Sequence, residues 1–80
     1  LQLKPDYVEA YSNLGHALQQ QLRLEEAENC YRHVLQLRPT FANAYENLGT
    51  VLAAQGKLEE ARSSYRQAIT LTTNNTGMKF

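Results

Sequence analysis

Few side chains in this 80-residue chain are of a type and spacing that could do chemistry. His16 and His33 are the candidates for metal binding or proton transfer. No histidine lies four residues from another, and no carboxylate accompanies either at a ligand spacing, so neither a metal site nor a general acid–base pair is expected. Both read as surface histidines, with a peptide contact by His16 as the alternative. Cys30 is the single thiol, and no base is spaced to activate it, so it reads as a small, partly buried filler. One cysteine also excludes an intramolecular disulfide and a cysteine-based zinc cage, and it favours an intracellular, cytoplasmic setting. No glycine-rich phosphate loop is present, and Asn74-Asn75-Thr76, which fits a glycosylation triplet, is a common sequence with nothing beside it that suggests secretion. The expectation is therefore no catalytic residues, no metal and no cofactor. What remains are amides, above all Asn13 and Asn47, whose chemistry is to donate and accept hydrogen bonds at once.

Composition narrows the partners. Eight Lys and Arg balance eight Asp and Glu, with a pI near 6.9, so no overall field draws in nucleic acid or an anionic membrane. No uninterrupted apolar run approaches the roughly 20 residues of a membrane span. With 42% hydrophobic residues, 80 positions suffice for one small domain stabilised by packing alone.

The elements that must position these side chains emerge when the sequence is slid along itself. An offset of 34 brings together 46 residue pairs, of which 18 are identical, without a gap. Leu1-Gln2-Leu3-Lys4-Pro5 falls on Leu35-Gln36-Leu37-Arg38-Pro39, Asn13-Leu14-Gly15 on Asn47-Leu48-Gly49, and Leu24-Glu25-Glu26-Ala27 on Leu58-Glu59-Glu60-Ala61. Within each unit the apolar residues step by three and four. Tyr7, Ala10, Tyr11, Leu14, Ala17 and Leu18 predict a helix over 7–20, and Leu24, Ala27, Tyr31, Val34 and Leu35 predict another over 24–37; the second unit predicts helices over 41–54 and 58–71. Each unit is thus a helical hairpin, with repeat one at 6–39 and repeat two at 40–73. Residues 1–5 read as the end of a preceding second helix, and 74–80 as a tail that frays unless Met78 and Phe80 pin it.

Local signals agree with this division. Asp6 with Glu9 forms a variant capping box, and Thr40 takes the equivalent N-cap after Pro39. Gly56 suits the left-handed position that ends a helix, whereas Leu22 stands in its place in the first unit, so that turn must avoid a left-handed residue or accept strain. The acids Glu25, Glu26, Glu59 and Glu60 favour helix N-termini, and Glu28 with Arg32 reads as a solvated i, i+4 pair. Tyr11, Tyr31, Tyr45 and Tyr65 recur at repeat positions and read as core aromatics.

The 34-residue period, with Tyr11-Leu14-Gly15-Leu18, Ala27, Tyr31 and Pro39 in one unit and Tyr45-Leu48-Gly49-Leu52, Ala61, Tyr65 and Ala68 in the next, resembles the tetratricopeptide repeat. Thr73 departs from the pattern, standing where the second unit would have its proline. The resemblance implies an all-α fold, an α-solenoid of two antiparallel helix-turn-helix hairpins, acting as a non-catalytic protein–protein interaction scaffold. It also implies that the first helix of each unit lines a concave face that binds extended peptide. The polar stripes there, Glu9, Ser12, Asn13, His16 and Gln20 in unit one and Asn43, Glu46, Asn47 and Thr50 in unit two, are the candidate peptide-binding residues. The Asn-Leu-Gly segments are similar to those in the repeat arrays of O-linked N-acetylglucosamine transferases, which implies contact of Asn13 and Asn47 with peptide main chain; the alternative is that both are neutral surface residues. A clamp for a C-terminal carboxylate, also known in this family, looks incomplete, because Glu9 and Asn43 stand where cations would be wanted.

The expected partner is a protein or peptide. Rival readings are a substrate-recruiting segment of a multidomain transferase, and a module that forms homo-oligomers through its exposed repeat ends, since two hairpins alone bury a small core. An RNA-binding helical repeat is disfavoured by the neutral charge.

Overall fold

The computed structural model describes residues 7–75, with side chains to Thr73. Four helices follow one another: α1 (Tyr7–Gln20), α2 (Leu24–Leu37), α3 (Ala42–Ala54) and α4 (Leu58–Asn75). Each packs on the next, α1 on α2, α2 on α3 and α3 on α4, giving two antiparallel hairpins laid side by side. The chain is all-α, as the periodicity predicts.

The turn inside each hairpin has the same hydrogen bonds. In the second, Gly56 N–H donates to the Ala53 carbonyl and Lys57 N–H to that of Leu52, both at 2.9 Å, with Gly56 at φ +83°. In the first, Leu22 N–H donates to Gln19 at 3.0 Å and Arg23 N–H to Leu18 at 2.9 Å, with Leu22 at φ +63°. These two bonds satisfy carbonyls that the helix end would otherwise leave open. Leu22 therefore accepts the strain that the sequence raises as one option.

Three local expectations are corrected. Thr40 does not cap α3; Phe41 is the N-cap residue, with no side-chain cap bond, and its ring packs beside Val8, Val34 and Ala44. Apolar burial here replaces a hydroxyl cap and starts the helix at 42 rather than 41. At the far end, α4 runs through Asn75 rather than stopping at 71. Pro39 cannot continue α2 and holds Arg38 extended before it, but Thr73, its equivalent, keeps its N–H and presents no ring to clash, so nothing halts α4 there. The Asp6 cap, the segment 1–5 and the pinning of Met78 and Phe80 lie outside the described residues.

The third correction concerns the core. Leu14, Ala10 and Ala17 of α1 are exposed, while their equivalents Leu48, Ala44 and Val51 of α3 are buried; Leu14 is 49% exposed against 3% for Leu48. Tyr7 also lies open, and Val8 is buried instead. The reason is position in the stack: α3 is covered by α2 on one side and α4 on the other, whereas α1 has a neighbour only on the α2 side. At the other end Tyr65 is 37% exposed where Tyr31 is fully buried. The core accordingly concentrates at the middle, where Tyr31, Val34, Val51 and Leu52 are sealed from water.

Candidate functional site: the face of the first helices

Gly15 and Gly49 set the orientation of the candidate face. A Cβ on Gly15 would lie 2.9 Å from the Tyr31 ring, and one on Gly49 would lie 3.0 Å from Tyr65, so each glycine faces the second helix of its own hairpin. Asn13 and Asn47 come two residues earlier, about 200° around a helix that turns about 100° per residue, and so they point away from that packing. Asn13 is exposed and Asn47 half-buried. Neither amide has a partner among the described residues.

The rest of the stripe distributes unevenly. Glu9, His16, Gln20, Asn43 and Glu46 are exposed, and Ser12 is half-buried. Thr50 is exposed but committed: its hydroxyl donates to the Glu46 carbonyl at 3.1 Å, which leaves Tyr65 to donate to Thr50 at 2.9 Å. Its one proton is spent, leaving it little to offer a peptide. In the first hairpin the equivalent tyrosine chooses another partner, since the Tyr31 hydroxyl donates to Gln19 Oε1 at 3.0 Å. The exchange is reciprocal. Ala53 replaces Gln19 in unit two, and Thr50 replaces His16, so Tyr65 lacks the partner that Tyr31 uses and bonds Thr50 instead.

Burial raises the pKa of the Tyr31 hydroxyl, with a smaller contribution from Cys30. The Cys30 thiol is buried and its pKa is likewise pushed up, first by burial and then by the charge of Glu26, which keeps it protonated and poorly nucleophilic. His33 stacks on Tyr11 with ring centroids 4.8 Å apart, and its Nδ1 bonds the Asn29 carbonyl at 3.1 Å. Among the described residues no three His, Cys, Asp or Glu side chains gather as metal ligands, and no helix is long and apolar enough to cross a membrane.

One residue has a larger part than its sequence suggests. Glu28 is not a solvated first-turn acid; it is buried at 7% exposure on the face of α2 that meets the second hairpin. Its carboxylate accepts bonds from Arg32 at 2.9 Å, Gln55 at 2.8 Å and Lys57 at 3.3 Å. Burial pulls its pKa up, but the bonds from Gln55, Arg32 and Lys57, with the charge of Arg32, outweigh that and hold it below the usual carboxylate value. The available signal was a break in the repeat: directly after the matched Leu24–Ala27 run, Glu28 falls on Arg62, a reversal of charge.

Next to this cluster, α2, α3 and α4 line a depression of about 380 Å³, with Arg32, Gln36, Tyr45, Leu48, Ser63 and Gln67 among its lining residues. Its lining comes from three helices, and no linear motif marks it.

Comparison with known proteins bears on the whole chain. No curated protein compared with it matches. The profile described as tetratricopeptide repeat matches residues 6–74, which takes in all four helices but the last residue of α4. With the hairpin pair, the 34-residue period and the glycine–tyrosine contacts in both units, this chain belongs to the tetratricopeptide repeat family.

Proposed function

We propose that the chain is a protein-interaction module that binds an extended peptide segment across α1 and α3, with Asn13 and Asn47 as its principal contacts. The family generally mediates protein–protein contacts, which supports the class of partner. The observation that carries the residue assignment is the pair of unpartnered amides one repeat apart, each turned from the core by the glycine two residues on. An amide in that place both donates to and accepts from a peptide backbone, giving affinity that depends weakly on the peptide's side chains. Glu9, Ser12, His16, Gln20, Asn43 and Glu46 surround the pair and would set preference, while Thr50 acts indirectly by holding Tyr65. The same groove would serve a substrate-recruiting segment of a transferase, and the likeness to the asparagines of O-linked N-acetylglucosamine transferase arrays favours main-chain contact.

Screening a peptide library against the wild-type chain and the N13A/N47A double variant tests this reading. Binding by the wild type that falls at least about tenfold in the variant, with helicity unchanged, is the expected result, given about 1–3 kcal/mol for each buried polar group left unpaired. Equal binding by the two would assign the amides to neutral surface.

A second reading, self-association, is favoured by the exposed apolar residues at the two ends, Tyr7 and Leu14 on α1 and Tyr65 and Ile69 on α4.

A further inference from the structure

Away from the first-helix stripe, the depression beside Glu28 adjoins a second one of about 400 Å³, and the two share Arg32, Ser63 and Ser64. Together they follow α4 from Glu59 to Gln67, which is about 12 Å of helix and matches about four residues of extended chain. Ser64 is the group in this cleft that lacks a counterpart. It is buried at 7% exposure, it lines both depressions, and its hydroxyl has no hydrogen-bond partner among the described residues. The 34-residue offset places it on Cys30, which is equally buried. A thiol is a weak donor and tolerates such burial, whereas a hydroxyl left unpaired there is costly. Around Ser64 the side chains of Ser63, Gln36 and Gln67 are also without partners among the described residues.

The charges along the cleft decide what fits it. Arg32 is not free to hold an anion, because Glu28 accepts from it at 2.9 Å and Glu60 lies 3.7 Å away. Lys57 is spent on the same Glu28 at 3.3 Å. Glu59 and Glu60, both exposed, make one end of the cleft acidic, so a carboxylate or phosphate would meet like charge there. The hydroxyls and amides along the rest of the lining donate and accept at once, as a peptide main chain does.

We propose that the cleft between α2 and α4 is a second binding site, for an extended peptide segment of a partner protein whose main chain reaches the Ser64 hydroxyl and whose lysine or arginine side chain lies at the Glu59 and Glu60 end. The site is on the face of the second helices, shares no residue with the Asn13 and Asn47 groove, and does not rest on that reading. The buried hydroxyl supplies the hydrogen bond that only a ligand completes, and the acidic end sets the direction in which the segment lies.

The test is an NMR titration of the ¹⁵N-labelled chain with acetyl-Lys-Ala-Ala-Ala-amide and with its counterpart carrying glutamate in place of lysine. The lysine peptide is expected to shift the backbone signals of Ser63, Ser64 and Gln67 saturably, and to bind at least about threefold more tightly than the glutamate peptide. S64A, which removes only the hydroxyl, is expected to weaken the lysine peptide at least about threefold while the chain melts no lower than wild type. E59Q/E60Q is expected to abolish the preference for lysine. No saturable shift at these residues, shifts confined to α1 and α3, equal affinity for the two peptides, or unchanged binding by S64A would each overturn the proposal.

Discussion

Gln55 Nε2 donates to Glu28 Oε1 at 2.8 Å across the boundary between the two hairpins, joining residues 27 positions apart. With Lys57 and Arg32 it makes Glu28 the polar centre of that boundary. Because these partners hold the Glu28 pKa below its ordinary value of 4.5, the carboxylate contributes stability that is fully present above that value. The contribution is lost as pH falls through the lower folded pKa. Urea unfolding from pH 7 down to pH 2.5 is expected to show this loss below about pH 4.5, and E28Q to flatten it while costing about 1–2 kcal/mol at pH 7. An identical acid limb in wild type and E28Q would remove Glu28 from this role.

Gly15 and Gly49 are expected to respond differently to alanine. Tyr31, which a Cβ on Gly15 would meet at 2.9 Å, is sealed in the core and tied to Gln19, so the ring has nowhere to go. Overpacking there costs about 1–3 kcal/mol, more than the roughly 1 kcal/mol that alanine gains in helix propensity. Tyr65 lies at a free edge and can give by a few tenths of an ångström, so G49A should be close to neutral. Thermal unfolding of the two variants checks the order.

Leu22 and Gly56 occupy the same left-handed position, and only glycine is at ease there. Leu22 is 78% exposed and gives up little packing when removed. L22G is expected to stabilise the chain by about 1 kcal/mol and G56A to destabilise it by a similar amount. In a domain of this size either shift moves the melting temperature by about 4–8 °C, which calorimetry resolves.

Leu14 and Leu48 test the uneven core. L48A should cost about 2–4 kcal/mol because it opens a cavity between three helices, and L14A less than about 1 kcal/mol because water already reaches that side chain. Comparable losses from the two would mean that the α1 face is covered in solution.

Much of the architecture was legible because hairpins of this kind are built from short-range periodicity. The three-and-four spacing in 7–20 and 24–37 gave both helices with their observed limits, and Gly15 with Tyr31 marked where they approach. Pro39 announced the end of α2, but Thr73 carries no stop signal, and α4 went on through Asn75. The outward orientation of Asn13 and Asn47 followed from helix geometry relative to Gly15 and Gly49. Thr50 was legible as polar and exposed, but not as the partner of Tyr65, since either tyrosine could have turned to several groups nearby.

The sequence by itself determined the unit: its length, its two helices, its turn and the face its asparagines take, all properties of residues within about 35 positions of one another. Only the tertiary structure decided which copies of a repeated residue are buried. Leu14 and Leu48, or Tyr31 and Tyr65, are the same letters in the same local setting, and burial depends on whether a neighbouring helix lies on the far side, which period and pattern do not encode. For the same reason Glu28 read as a surface acid until the second hairpin's turn was brought against it, where the loss of water gave its three hydrogen bonds their weight.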